Sequence, residues 1–481
     1  MKIKKRIEEN IKVIKQKVAC ADVIYYEFKC NQTSYQLCYV DSITDKNRIG
    51  DLLIRPIFAL NPTTLEEVFY SLQIPNLTKI TTLEEGMTKL LAGQALLFCE
   101  NEEFLIACDF LTYPTRAIAE PPTSTVVRGP REGFTESLKI NLSMLRRRIK
   151  VKELVLENQE IGKYSKTTVC LCYISSIANS GIVNKVKKGL SSIEIDSIPD
   201  SSYVAKAINQ RKTSLFKQVG NTEKPDIFVQ KLLEGRVGIL VDGSPIAITV
   251  PYMIIEDLQS SEDYFVNNYR ANMERVIRLI SLAFAILLPA LFVSAQLFHL
   301  QIIPLNFLLT IVSSIKGIPL SPSFEMFFTL LIFEILNEAS IRMPKYVGMV
   351  LSIVGALVLG DTAVKAGIVS TPTIMIMALS GICLYTAPDM VDSMSVLRLI
   401  YLIIAGSLGG YGIALLSAFI AIYLCSIDNF GVPILAPYAP TVLQDFKDGI
   451  TMDFLTNMKN RPKSLKSKNK TRLKIKEDCD E

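Results

Sequence analysis

Apolar positions are unevenly distributed along this chain. The 150 residues from Ile277 to Ser426 contain only twelve charged side chains, against 21% for the whole sequence. Within that stretch, Ile277 to Phe298 and Leu399 to Cys425 are apolar runs long enough to cross a bilayer, which takes about 20 helical residues. Four weaker runs lie between them, near 302–315, 324–336, 346–360 and 367–387. The third is rich in Gly and Ser and the fourth carries Pro372, so each suits a tilted, broken or re-entrant segment. The pattern predicts an all-α helical membrane domain over 270–430, with four full spans plus half-spans.

Ahead of it the period changes. Leu37 to Ile43 reads Leu-Cys-Tyr-Val-Asp-Ser-Ile, and Leu171 to Ile177 reads Leu-Cys-Tyr-Ile-Ser-Ser-Ile, 134 residues on. Leu90-Leu91-Ala92-Gly93-Gln94 returns as Leu232-Leu233-Glu234-Gly235-Arg236, 142 residues on. Each copy continues as an apolar strand, a polar turn and a second apolar strand, and Asp242-Gly243 between apolar runs is a hairpin signal. Two tandem related α/β modules are expected, over 30–115 and 165–260, the second longer by eight residues. Residues 1–29 read as a charged N-terminal helix. The linker over 116–164 opens at Pro121-Pro122 and places Phe134, Leu138, Leu142, Leu145 and Ile149 on one helical stripe. Arg146, Arg147 and Arg148 close that helix, where cations suit the dipole. They either contact a partner subunit or anionic lipid, or end a connector packed between the modules.

Charge fixes a provisional orientation. Arg270, Arg275 and Arg278 stand at the entry to the first apolar run. The region 431–481 reads as a basic tail, with nine Lys and Arg and no acid between Lys459 and Lys476. Both flanks therefore read as cytoplasmic, which requires an even number of crossings, four or six; Arg342 and Lys345 fit a cytoplasmic turn only if one earlier weak run does not cross, which favours the four. The overall net charge of +5 is too balanced for a nucleic-acid partner, and attraction of the tail to membrane lipid is the simpler reading.

Inside the apolar half, Glu334, Glu338 and Arg342 recur every fourth residue, and Asp361 and Lys365 form a second pair of that spacing. Charges there are expensive unless they face a bundle interior or a wet cavity. They are candidates for an ion path or gate; paired charges that merely hold helices together fit equally. Glu325, half a turn round, is expected near a membrane surface. Gly348, Ser352, Ala356 and Gly360 form a small-residue stripe for close helix packing, and Gly406, Gly409, Gly410 and Gly412 either kink the last run or let it pack. One histidine, His299, and ten cysteines without a Cys-x-x-Cys pair give no zinc pattern, so no metal or cofactor is expected. Neither a phosphate-binding loop, a Gly-x-Ser-x-Gly elbow nor a His-Glu-x-x-His motif occurs, which argues against an enzyme.

Longer motifs carry a resemblance. Val127-Arg128-Gly129-Pro130-Arg131-Glu132-Gly133-Phe134-Thr135-Glu136 and Leu145-Arg146-Arg147-Arg148-Ile149 open it. It continues through Leu232 to Arg236, Asp242 to Pro245, Glu262-Asp263-Tyr264, Phe333 to Pro344, Ile353 to Val358, and Phe430 to Pro433 with Ala436-Pro437. In this order they resemble the GerA family, the A subunits of spore germinant receptors. The resemblance implies a protein of the spore inner membrane that assembles with a B subunit similar to amino-acid transporters and a C-subunit lipoprotein. It implies too a homo-oligomeric, nutrient-gated cation channel, with the nutrient bound on a partner. The stage V sporulation protein AF branch shares the same motifs; a secondary transporter and a non-conducting scaffold are the other classes left open. Asn337 and Lys224 depart from the family pattern, which has Arg at both places.

Overall fold

A computed structural model describes residues 2–31, 33–112, 128–344 and 360–473. Pro121-Pro122 and most of the small-residue stripe (Gly348, Ser352, Ala356) lie outside the described residues.

The first module opens with α1 (Ile7–Lys17) and β1 (Val23–Cys30), both ahead of the boundary expected at residue 30. There follow β2 (Thr33–Val40), the short helices α2 (Lys46–Ile49), α3 (Arg55–Leu60) and α4 (Leu65–Ser71), β3 (Thr78–Ile80), α5 (Leu83–Leu91), β4 (Gln94–Cys99) and β5 (Leu105–Asp109). All pairings are antiparallel, in the order β1-β2-β4-β5-β3. Alternation along the strands sends Cys38, Val40, Leu96 and Phe98 to the face covered by α1 and α5. Tyr35, Leu37, Ala95 and Leu97 go to the face covered by Ile49, Leu53, Ile57, Leu65 and Val68.

The second module repeats this plan. It contains α6 (Leu138–Arg148), β6 (Leu154–Ile161), β7 (Thr167–Ile174), α7 (Ser180–Ser191), α8 (Ser201–Ile208), β8 (Gly220–Thr222), α9 (Pro225–Glu234), β9 (Val237–Val241) and β10 (Ala247–Val250). Its strand order is β6-β7-β9-β10-β8. The register matches as well: Leu37 pairs with Leu97 in the first sheet, and Leu171 with Ile239 in the second, the same offsets of 134 and 142 that the sequence carries. The helix expected to be a linker is thus α6, which covers the second sheet together with α9 as α1 and α5 cover the first.

The helical half follows as α10 (Asn268–Phe298), α11 (Leu305–Ile315), α12 (Pro322–Arg342), α13 (Thr371–Leu384) and α14 (Val391–Cys425). Among the described residues, two stretches are long and apolar enough to cross a membrane, Asn268–Phe298 and Pro388–Cys425. The second is not a straight rod. Gly409 sits at φ 63°, ψ −148°, and Tyr401 Oη lies 2.9 Å from Ser417 Oγ, sixteen residues on. An unbroken helix would separate such residues by about 24 Å. The helix that holds the run Leu399 to Cys425, Val391–Cys425, is therefore a helical hairpin, folded at the one glycine of its cluster with left-handed φ. Its two legs, 391–408 and 410–425, are each about 24 to 27 Å long, close to one bilayer core.

The C-terminal segment departs from the expectation of a solvated tail. Phe430, Val432, Ala436 and Leu465 enter the core of the second module, and Leu465 is fully buried. Arg461 donates to the Leu233 carbonyl (2.6 Å) and Lys468 N to that of Ile177 (2.8 Å). Lys459, Lys463, Lys466, Lys468 and Lys470 remain at the surface while the few apolar side chains close the module. The second module is consequently discontinuous, and the helical half is inserted between β10 and residue 428.

Candidate functional site

Four helices of the inserted half meet at a buried charge. Arg398, near the start of α14, is fully buried. Its Nη2 donates to Glu334 Oε1 on α12 (2.5 Å) and its Nη1 to Ser380 Oγ on α13 (3.2 Å). Ser380 Oγ donates in turn to the Ala285 carbonyl on α10 (2.8 Å). That carbonyl is available because Pro289, four residues on, has no N–H to offer it. The guanidinium also lies over the Phe333 ring, 5.7 Å from its centre, and that ring fills the space a side chain would need at Gly381. A lone buried charge is untenable, so Glu334 and Arg398 hold each other in place.

The other candidates do not join this node. Glu338 and Arg342 pair with each other at 2.5 Å on an exposed face, as do Asp361 and Lys365 at 2.6 Å. The four-residue spacing thus gives local pairs, and only Glu334 points inward. Asn337 accepts from Tyr385 Oη (2.6 Å). Glu325, expected at a membrane surface, is fully buried and accepts from both the backbone N–H and the hydroxyl of Ser370 (2.7 and 2.6 Å), at the N-terminus of α13. Its carboxylate suits the positive end of that helix. Arg398 escaped the sequence reading because its partner is 64 residues distant; the available signal was a single arginine abutting an otherwise uncharged apolar run.

The three arginines of α6 are spent inside the chain. Arg146 is buried and forms a two-pronged pair with Asp22 (3.1 and 2.8 Å), which also accepts from Ser42 Oγ (3.0 Å). It ties the second module to the segment preceding β1, so it offers no surface to lipid or to a partner subunit. Arg147 and Arg148 both donate to Glu132, Arg148 at 2.8 Å.

A second charged network joins the inserted helices to the soluble half. Arg275, read from sequence as a flanking charge, is buried on α10 and donates to Asp263 (2.9 Å), Asp448 (3.0 Å) and the Gly449 carbonyl (2.9 Å). Arg278 forms a two-pronged pair with the same Asp263. At the other end of the insertion, Lys217 bridges Asp257 (2.8 Å) to Asp389 (3.8 Å), which lies between α13 and α14. Arg211 holds the Ser426 hydroxyl and carbonyl (3.0 and 2.8 Å). Burial, with Asp389 nearby, pushes Asp257 up to about 6 against the opposing pull of Lys217. Burial also works against the charge of Glu256, yet Arg236 and Lys231 outweigh it and hold that carboxyl at about 2. Lys224, one of the two departures, is buried and donates to Ser261 Oγ (3.0 Å).

Comparison with known proteins gives this arrangement its setting. The family model described as "Bacillus/Clostridium GerA spore germination protein" matches residues 9–464. Spore germination protein KA of Bacillus subtilis (strain 168) is 33% identical over 477 residues, covering 97% of this chain and 88% of that protein. Spore germination protein B1 of the same organism is 29% identical over 471 residues, covering 96% and 98%. Among solved structures, the N-terminal domain of the A subunit of the Bacillus megaterium spore germinant receptor GerK3 is 29% identical. It covers 53% of this chain and 98% of its own, with a TM-score of 0.40. A match that runs through both modules, the inserted helices and most of the returning segment leaves one assignment: the chain belongs to the GerA family of spore germination proteins.

Proposed function

We propose that this chain is the A subunit of a spore germinant receptor, and that its inserted helices form an oligomeric cation channel in the spore inner membrane, opened by nutrient. The partners in this reading are a B subunit resembling an amino-acid transporter, which binds the nutrient, and a C-subunit lipoprotein. Both flanks of the helical half lie on the cytosolic side. The observation that carries the reading is the Glu334–Arg398 pair, which draws α10, α12, α13 and α14 together through Ser380 and the Ala285 carbonyl. Such a pair latches one arrangement of the helices: separating them would strand a buried guanidinium, so the closed bundle persists until another interaction compensates.

The test is the conductance of purified complex in liposomes, with and without nutrient. Current that appears only with nutrient supports the channel; a sealed bilayer under every condition overturns it. Glu334→Gln weakens the latch and is expected to raise the nutrient-independent current, whereas Glu338→Gln, on the exposed face, leaves it unchanged. If the bilayer stays sealed and Glu334→Gln assembles normally and germinates as before, a non-conducting scaffold replaces the channel; a nutrient-gated current that Glu334→Gln leaves unaltered overturns the latch.

A further inference from the structure

The foot of α10 carries apolar surface that the fold leaves uncovered. Tyr269, Met273, Val276, Ile280, Phe284 and Leu291 are exposed and follow one face of the helix upward. The returning C-terminal segment extends this face sideways. Asn272 clasps Met452 through both backbone groups, its Nδ2 donating to the carbonyl (3.0 Å) and its Oδ1 accepting from the N–H (2.5 Å). This sets the Phe454 ring edge-on to that of Tyr269, with centres 6.5 Å apart. Phe454, Leu455 and Leu443 point their apolar surface outward beside it, at 53%, 61% and 75% exposure.

The depth of this patch follows from the helix. At 1.5 Å per residue α10 is about 46 Å long, against about 30 Å for a hydrocarbon core. Its charged residues, Arg270, Glu274, Arg275 and Arg278, all lie in the first three turns. If the uncovered apolar face enters the core near Met273, Tyr269 and Phe454 stand about 6 Å below it, within a headgroup layer about 5 to 8 Å thick. Aromatic rings with one apolar and one wet side concentrate at that level. We propose that Phe454, Leu455 and Leu443 form, with Tyr269, an interfacial foot by which the C-terminal segment rests on the lipid headgroups. The surface is continuous with the outward face of α10, and lipid is therefore its occupant. This rests on the reading of α10 as membrane-spanning, and the test separates the two.

The chain contains no tryptophan, so single substitutions report without background. Phe454→Trp, Leu443→Trp and Phe284→Trp chains are reconstituted into phosphatidylethanolamine–phosphatidylglycerol vesicles. Part of the lipid carries a nitroxide quencher, either on the headgroup or deep in the acyl chain. The expected result is that Trp emission at positions 454 and 443 falls with the headgroup quencher and not with the deep one, while emission at 284 falls with the deep one. Quenching at 284 with none at 454 and 443 overturns the foot and leaves the spanning helix standing. Absence of quenching at all three positions overturns both. Blue-shifted emission at 454 that resists every quencher assigns the patch to a second copy of the chain and overturns the lipid contact.

Discussion

The two soluble modules share a strand order and a register, yet their corresponding faces are closed by different parts of the chain. In the first, the face bearing Leu37 is covered by residues 49–72, the connection between its own strands. In the second, the equivalent face bearing Leu171 is covered by α7 and α8 and also by Phe430, Val432 and Leu465, which arrive only after the helical half has been traversed. A similar divergence appears at Gln94 and Arg236, which occupy matching places after α5 and α9. Arg236 is buried against Glu256 and Glu234, an ionic cluster tied to the insertion side of the module. One copy of the plan has thus stayed self-contained, while the other has become the mount for the helical half.

The broadest way to break this contrast is to strike the residue that both modules share. Asp22→Ala leaves Arg146 buried without its partner and is expected to cost about 3 to 5 kcal/mol. Backbone hydrogen exchange of the detergent-solubilised chain should then quicken in both sheets. Leu465→Ala sharpens the contrast: loss of a fully buried leucine costs about 2 to 4 kcal/mol, with faster exchange confined to the second sheet. Equal acceleration in the first sheet would show that the modules unfold as one.

The next test is pH. Asp257 binds its proton more tightly in the folded chain than its ordinary value of 3.8, so it destabilises the charged form. Stability of the second module should fall as pH rises from 3.8 through about 6, and Asp257→Asn should remove that slope. Glu256 acts in the opposite sense, adding stability as pH rises from about 2 to 4.5. Thermal unfolding followed across pH 3 to 7 in wild type and both Asp257→Asn and Glu256→Gln checks the two signs. The smallest effect belongs to Glu338→Gln, whose exposed pair with Arg342 is worth about 0.3 kcal/mol, and should leave the melting temperature essentially unmoved.

What could be read from the sequence followed from how local each feature is. The offsets at Leu37 and Leu90 disclosed the repeated plan because matched strands must keep matched spacing. Their limits fell short at β1 and α6: Tyr25, Tyr26 and Glu27 leave β1 half-exposed at a sheet edge, where no apolar alternation marks it. The last apolar run was visible as a membrane-length segment, but four nearby glycines admit both a kink and close packing, and only the left-handed φ at Gly409 decides between them. Glu334 was found from its four-residue spacing; the same spacing pairs Glu338 with Arg342, as expected, while Glu334 turns to a distant partner. Its true partner, Arg398, and the carbonyl freed by Pro289 are set by packing between distant helices. The lysine-rich end looked solvated because Leu465 and Met458 are too few and too widely spaced to form a period.

Mounting the insertion at both ends restricts what motion can pass through it. Asp263 and Asp448 grip α10 where it leaves, Lys217 holds the turn before α14, and Arg211 holds the end of the returning leg. All three fixings belong to one body, the loops of the second module and the C-terminal segment packed on it. A push along the axis of α10 that moves them together does nothing to their mutual spacing. Only a twist of that body, or a slip of the C-terminal strap against it, can change the angle between the outgoing and returning helices; the joint transmits torque and is blind to thrust.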